Sequence, residues 1–481
     1  MIKADTTEET RATAPTDCAG QSLLFPELTR LPVVVDFEGG HVSSDGGSVL
    51  LGRLDRSYGY TKRFATCFQD YRDAGLIEHE LLGLVRQRTY GLALGYEDLN
   101  DHDRLCTDPL LASLCGKKDP LGQDRVRKQD RGKALSGKST LNRLELTPAD
   151  ANAQSRYKKI VGDGEAIEEY FMDEYVRHLP KDTERVTLDL DATDDPIHGQ
   201  QEGRFFHGYY GDYCYLPLYI FDGNWPILAW LRSSDRDASA GALEKVKKIV
   251  AALRRRFPRL HIRLRADSGF CRDELMVWCE LNGVKYLLGL ARNAVLERKL
   301  EPALQKAKAL SQAQGGTPAR VFMEMTYRAQ RWHAPRWVIG KAEWTQGEGN
   351  PRFIVTNEDP CQFQAQSLYE QDYCGRGDME NRIKEQQLDL CADRTSTETM
   401  RANQLRLWFS TLAYLLMNQL RRVGLAGTEW ARATCGTIRL KLFKVGALVR
   451  VSVRRVRVSL SSAYPWPELF ERVAQRLGAA P

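Results

Sequence analysis

Three things are scarce or missing in this chain of 481 residues, and each absence removes a class of protein. The first is paired cysteine. Eleven cysteines are spread singly from Cys18 to Cys435, with no C-x-x-C pair, which excludes the common structural zinc sites. They read as reduced thiols, mostly small core fillers. The second is clustered histidine: the eight histidines form no H-E-x-x-H motif and no pair. The third is a long apolar run. No stretch of about 18 apolar residues occurs, so a membrane-spanning helix is not expected. MIKADTTEETRATAPTDCAG lacks a basic start followed by an apolar core and reads as a disordered tail rather than a signal peptide. The expected compartment is the cytoplasm.

What is present is an ordinary globular composition, 42% hydrophobic and 27% charged, with a net charge of +6 unevenly distributed. From Arg432 onward there are ten Lys/Arg against two Glu, and from Lys117 to Arg143 nine Lys/Arg against three Asp. The rest of the chain is net acidic. Two concentrated basic segments around a less basic centre suit phosphate neutralisation at two places on a polyanion such as DNA.

Along the chain, residues 31–60 read as β-containing. GLIEHELLGLVRQRTYGLALGYED (75–98) reads as an amphipathic helix and a turn. Gly116 to Gly137 reads as a polar loop, and STLNRLEL as a short helix that places Arg143 near its exposed first turns. Gly132 to Ser139 satisfies G-x-x-x-x-G-K-[ST] letter for letter, but the preceding DRVRKQDR cannot be the buried strand that a nucleotide-binding loop needs. A basic glycine-rich loop near DNA phosphates is the better reading.

The centre changes character. RVTLDLDATDD (185–195) alternates with a period of two, setting Val186, Leu188 and Leu190 against Thr187, Asp189 and Asp191. GRFFHGYYGDYCYLPLYIFDG and WPILAWLRSS follow as two further β runs. Then come the helix GALEKVKKIVAALRRRF, the strand HIRLRADSGF, the helix RDELMVWCELNG and the strand KYLLGLA. Three antiparallel strands, a helix, a parallel strand, a helix and another strand is the order of an RNase H-like domain. In that order the first and fourth strands lie side by side, bringing Asp191 and Asp267 into one cleft. Asp189 is the alternative on the first strand. A third carboxylate, Glu380, lies on a helix with Tyr373 and Arg376 two turns and one turn earlier. A cleft of three carboxylates without His or Cys suits hard divalent cations, two Mg²⁺ ions with Mn²⁺ as substitute, acting on a phosphodiester.

These residues carry a resemblance. Tyr373, Arg376 and Glu380 form Y-x2-R-x3-E, which resembles the signature around the third acidic residue of cut-and-paste insertion-sequence transposases. With LDLDATDDPIHGQQEG, RADSGF, ENRIKE, FEGGHVSSDGG, YEDLNDH and the basic C-terminal stretch, the chain resembles the branch with the group 1 DDE domain (the IS-thirteen-eighty family) from about residue 33 to 465. The resemblance implies that Asp191, Asp267 and Glu380 are the catalytic and metal-holding triad, and that Tyr373 and Arg376 hold phosphates of the cleaved end. It implies binding to terminal inverted repeats and target double-stranded DNA, and a homodimer on DNA. It also implies a bacterial host, with the protein nucleoid-associated when bound. One position departs: the family signature ends in Lys seven residues after Glu, where this chain has Gln387, and Lys384 is the substitute one turn beyond Glu380. A catalytically inactive, DNA-binding descendant is the rival reading.

The expected architecture is α/β and multidomain. A disordered tail (1–30) and a helical N-terminal DNA-binding region (31–180) precede an RNase H-like core split into 181–295 and 363–425. A β-rich insertion domain (296–362) interrupts that core, and a basic C-terminal segment (426–481) follows it, with Arg454 and Arg455 as DNA contacts beside Arg450 and Arg457. Within the insertion, Trp332, Trp337 and Trp344 are candidates to stack on an unstacked base.

Overall fold

The computed structural model describes residues 22–25, 29–31 and 33–479, so most of the tail expected at 1–30 lies outside the described residues. Only the first part of 31–60 is extended: Val33–Val35 pairs with Leu23–Phe25, and Val42–Ser43 is a second short strand. From Ser48 the chain is helical (α1, Ser48–Tyr58), because Leu50, Leu51 and Leu54 recur at helical spacing and are buried. Gly59, at φ 68, ends it in the left-handed conformation that a glycine takes without steric cost. The helices that follow include α2 (Leu81–Ala93), α3 (Lys138–Glu145) and α4 (Gly164–His178), the last capped by the Asp163 side chain.

The period-two run is β1 (Arg185–Ala192), inside an eight-stranded mixed sheet. Three short strands come next, β2 (Asp195–Pro196), β3 (Phe205–His207) and β4 (Asp212–Tyr215), then β5 (Leu218–Asp222) and β6 (Trp225–Trp230). The helix α5 (Ala242–Arg256) leads to β7 (His261–Ala266), α6 (Asp273–Leu281) to β8 (Lys285–Leu290), and α7 (Ala294–Ala313) to β9 (Ala319–Tyr327), β10 (Arg336–Thr345) and β11 (Glu348–Thr356). The strand order is β6-β5-β1-β7-β8-β11-β10-β9. β5 runs antiparallel to β1, whereas β7 runs parallel to both β1 and β8.

Two readings change here. The run from Gly203 to Gly223 is not one strand: β3 and β4 join β2 in a small sheet of their own, and only β5 enters the large one. The strands of 296–362 do not stand apart as a β domain. β11 pairs with β8, and β10 and β9 add outward from it. The physical reason is the open edge of β8, whose unpaired backbone groups β11 satisfies.

The last part of the chain fixes the site. A helix of irregular pitch runs from Ala365 to Asp389, with π turns on both sides of α8 (Gly377–Lys384). Its first turns, Leu368 and Tyr369, pack with Leu287, Ile339 and Ile354 in a small cluster on one sheet face. α9 (Met400–Val423) is buried along nearly its whole length between α2 and β6. One continuous core holds residues from Leu50 to Leu477, so it crosses every segment boundary drawn from the sequence within that range. The basic stretch closes the fold as an antiparallel ribbon, β12 (Ala447–Val451) with β13 (Val456–Leu460), β12 also pairing with Val42–Ser43.

Candidate active site

β1 and β7 are adjacent and in parallel register, Leu190 opposite Ala266, so Asp191 and Asp267 follow at the same end of neighbouring strands. Asp267 begins the turn Ser268–Phe270, and its Oδ1 accepts from Gly269 N at 2.8 Å. Asp191 Oδ1 accepts from Ala192 N at 3.0 Å. Glu380 arrives on α8, where Arg376 joins the two sides: its Nη2 donates to Glu380 Oε1 at 2.9 Å and its Nη1 to Asp191 Oδ2 at 3.4 Å.

The electrostatics follow from three carboxylates meeting one guanidinium. Burial raises the Asp191 pKa to about 7, with the charges of Asp267 and Glu380 pushing the same way and Arg376 opposing them. Burial works against the Arg376 charge, but Asp191, Tyr373, Glu380 and Asp267 together raise its pKa. Tyr373 is also raised, by burial first and then by Asp267. Its hydroxyl comes so close to the sheet that a Cβ on Gly289 would lie 2.6 Å from it and 2.8 Å from Ser268 N. Only glycine fits at that position of β8.

The donors are oxygen only, as a hard divalent cation requires. Among the described residues no group of three His, Cys, Asp or Glu is already spaced as a cation cage. Arg376 occupies the space between Asp191 and Glu380 and supplies the positive charge there. The residues fit such a cation in kind, and the excess of carboxylate over guanidinium leaves charge for it to neutralise.

Other predicted residues are placed as follows. Asp189 is not a free ligand: it is buried and held by Arg265 through two nitrogens, the closer geometry being that of a structural ion pair, with Nη2 to Oδ2 at 2.7 Å. The strand is covered on both faces, so the alternation that put Asp189 with the exposed set fails. Lys384 is exposed and forms no ion pair among the described residues. Gln387 is turned away from a phosphate role: its Nε2 donates to Asp194 O at 3.0 Å and to Asp195 Oδ1 at 2.9 Å. Asp195 is fully buried with its Oδ2 unpartnered, and burial first, then Asp393 and Asp194, raises its pKa to about 8. Arg143 is exposed on α3, remote in sequence from the cleft, and stacks with Arg156 on the Tyr157 ring at 5.5 and 4.8 Å. Arg454 and Arg455 occupy the exposed turn of the β12–β13 ribbon, closed by Ser452 N donating to Arg455 O at 2.9 Å.

The three tryptophans are packed. Trp332 is buried edge-on against Tyr327 beneath Arg336, Trp337 joins the small cluster under Tyr369, and Trp344 lies under Lys308. The Gly132–Ser139 loop follows a single turn, Lys128–Asp130, rather than a strand, and the motif lysine, Lys138, is tied to Asp103 and Asn100. Sequence reasoning missed the Asp195–Gln387 link and the exposed aromatic ribbon between β2 and β5. The second had a signal: Phe205, Phe206, Tyr209, Tyr210 and Tyr213 lie among Gly203, Gly208 and Gly211 without the alternation of a core strand.

The family model for the transposase DDE domain, group 1, matches residues 25–481, and the chain belongs to that family. Among solved structures, a cryo-EM structure of the piggyBac transposase synaptic complex with hairpin DNA is similar at 12% identity and a TM-score of 0.41, over 91% of this chain and 82% of that one. No curated protein matches the chain in sequence. No helix among the described residues is long and apolar enough to cross a membrane.

Proposed function

We propose that this protein is the transposase of an insertion sequence, cutting phosphodiester bonds at the element's ends and joining the freed 3′-OH to target DNA at one RNase H-like cleft. The observation that carries the reading is the convergence of Asp191, Glu380 and Arg376 at the strand end beside Asp267, in a chain whose family is that of DDE transposases. Asp191, Asp267 and Glu380 are the residues that would hold Mg²⁺, with Mn²⁺ as substitute. Such cations, when bound, activate the attacking oxygen and stabilise the leaving one in an in-line displacement.

The chain's own groups have distinct parts in this account. β1 and β7 fix two carboxylates rigidly at neighbouring strand ends, and the irregular helix brings the third. Arg376 carries a guanidinium charge among them and, with Tyr373, takes phosphate oxygens of the cleaved end. Lys384, exposed one turn beyond Glu380, contributes a further cation along the same helix. The exposed Arg454 and Arg455 turn and Arg143 on α3 track the backbone of terminal repeat DNA away from the cleft. Joining two ends requires two cleft-bearing chains, hence a homodimer on DNA. The segments 31–180 and 426–481 are proposed as the DNA-facing parts around a core whose sheet takes in the strands of 296–362. Gln387, engaged with the root of the β2 strand, leaves the cationic contact of the family lysine to Lys384 in this reading.

The test is strand cleavage on a duplex carrying the element's terminal repeat, with Mg²⁺, for wild type and Asp267→Asn. Cleavage by wild type alone, stopped by EDTA, is expected, with a loss in the variant of at least about a thousandfold. Specific binding without cleavage in Mg²⁺ or Mn²⁺ would move the reading to an inactive DNA-binding protein. Cleavage surviving in the variant would mean that the cleft is elsewhere.

A further inference from the structure

The chain between Asp191 and Leu218 leaves and re-enters the large sheet at one point. Leu218 pairs with Ala192, and Thr193 N donates to Pro217 O at 3.3 Å. Both legs of the excursion therefore rise from the residue next to Asp191. The root is fixed twice: Gln387, on the irregular helix that also carries Glu380, holds Asp194 and Asp195, and Ile197 N donates to Tyr213 O at 2.8 Å. Beyond it the β3–β4 ribbon turns through Gly208 to Gly211, closed by Gly211 N to His207 O at 2.8 Å.

The ribbon's surface is unusual for a protein in water. Tyr209 is 87% exposed, Phe206 58%, Phe205 43% and Tyr213 42%, and none of these rings joins either hydrophobic core. They contact one another instead, Phe206 with Tyr213 at 5.6 Å and Tyr209 with Tyr210 at 5.0 Å, while the Arg204 guanidinium lies 4.3 Å over Tyr213. Exposed rings on a short ribbon, with a guanidinium stacked on one of them, cost free energy unless something covers them. Tyr210 is half-buried beside His207, with 4.9 Å between the ring centroids.

We infer that the β3–β4 ribbon, through its exposed Phe206 and Tyr209 and with Arg204 stacked on the neighbouring Tyr213, is a stacking platform for an unpaired DNA base next to the scissile position. This inference rests on the proposed function, which puts a DNA strand at Asp191, where the ribbon is rooted. A nucleobase fits better than a protein or lipid partner. It offers a flat face to an exposed ring, and its phosphate brings the negative charge that Arg204 complements. Of the tryptophans in the β9–β11 region, Trp332 is buried, and Trp337 and Trp344 are half-buried with their rings packed on the core.

The experiment compares binding of two probes to the full chain: a fully paired duplex, and the same duplex with a frayed end carrying 2-aminopurine at an unpaired position. Wild type is expected to prefer the frayed probe by about tenfold and to quench the 2-aminopurine, as stacking on an aromatic ring does. The Phe206→Ala/Tyr209→Ala double variant should lose both the preference and the quenching, yet bind the paired duplex within about twofold and melt at an unchanged temperature. Phe206→Trp/Tyr209→Trp should keep them. A preference retained in the alanine variant, or no preference in wild type that binds the paired duplex, overturns the platform alone. Binding to neither probe overturns the transposase reading, and the platform with it. A shift in self-association in the alanine variant with base quenching unchanged assigns the ribbon to a second copy of the chain and also overturns it.

Discussion

Two charge clusters in this protein, one buried among the helices and one half-exposed at the cleft, are built on opposite plans. On the helical side, Glu145 of α3 is enclosed by Arg88 at 2.6 Å and Arg406 at 2.8 Å, with its side chain fully buried. Burial pushes its pKa up, but the two guanidiniums more than reverse that, and Glu145 is held below the usual carboxylate range. In the cleft the ratio is inverted, with Asp191, Asp267 and Glu380 around Arg376 and Asp191 raised to about 7. One cluster is compensated and complete. The other is short of positive charge and stays stable only because the sheet and the irregular helix impose it. The positive charge that the fold leaves out is what a bound cation would supply.

This contrast can be broken by substitution. The largest effect on stability is expected on the compensated side. Glu145→Gln leaves two guanidiniums buried without a carboxylate and should cost about 3–5 kcal/mol in urea unfolding. A cost under about 1 kcal/mol would mean that the two clusters do not differ as described.

Asp195 gives an intermediate case, a fully buried carboxyl with only the Gln387 amide as partner. Its folded pKa of about 8 lies above that of an unfolded aspartate. The folded state thus keeps a proton that the unfolded state releases, so the stability it lends is present at low pH and declines as pH rises through about 8. Asp195→Asn should remove this slope, gaining about 2–3 kcal/mol over wild type between pH 6 and pH 8 in parallel unfolding series. Equal slopes for the two proteins would refute the assignment.

The smallest effect has the opposite sign to that of Glu145. Asp191→Asn removes a desolvated charge facing Asp267 and Glu380, and should raise stability by about 1–2 kcal/mol at pH 8 and less at pH 5. Its folded pKa is likewise raised, so the penalty that it removes grows with pH. A destabilised variant at pH 8 would show that Arg376 already compensates Asp191 in full.

Much of this was legible in the sequence because it depends on local pattern. The alternation at 185–191 marked β1, the amphipathic spacing of Val246, Ile249, Val250 and Leu253 marked α5, and Tyr373, Arg376 and Glu380 at helical spacing marked the third carboxylate. What was not legible depends on long-range pairing. Whether 319–356 forms its own sheet or extends another is decided by the open edge of β8, which no local pattern reports. Asp189 looked like Asp191 until Arg265, 76 residues further on, claimed it. Gln387 looked like a lost lysine, whereas its partner is Asp195 at the root of a ribbon that the sequence had merged into a neighbouring strand.

The most direct test of the central claim is the binding of Mn²⁺ to the full chain without DNA, followed by titration calorimetry for wild type and Asp267→Asn. Wild type is expected to bind, and the variant to bind at least about tenfold more weakly with its melting temperature in the absence of metal unchanged. Equal binding by the two proteins would contradict the account, because Asp267 would then take no part in holding the cation.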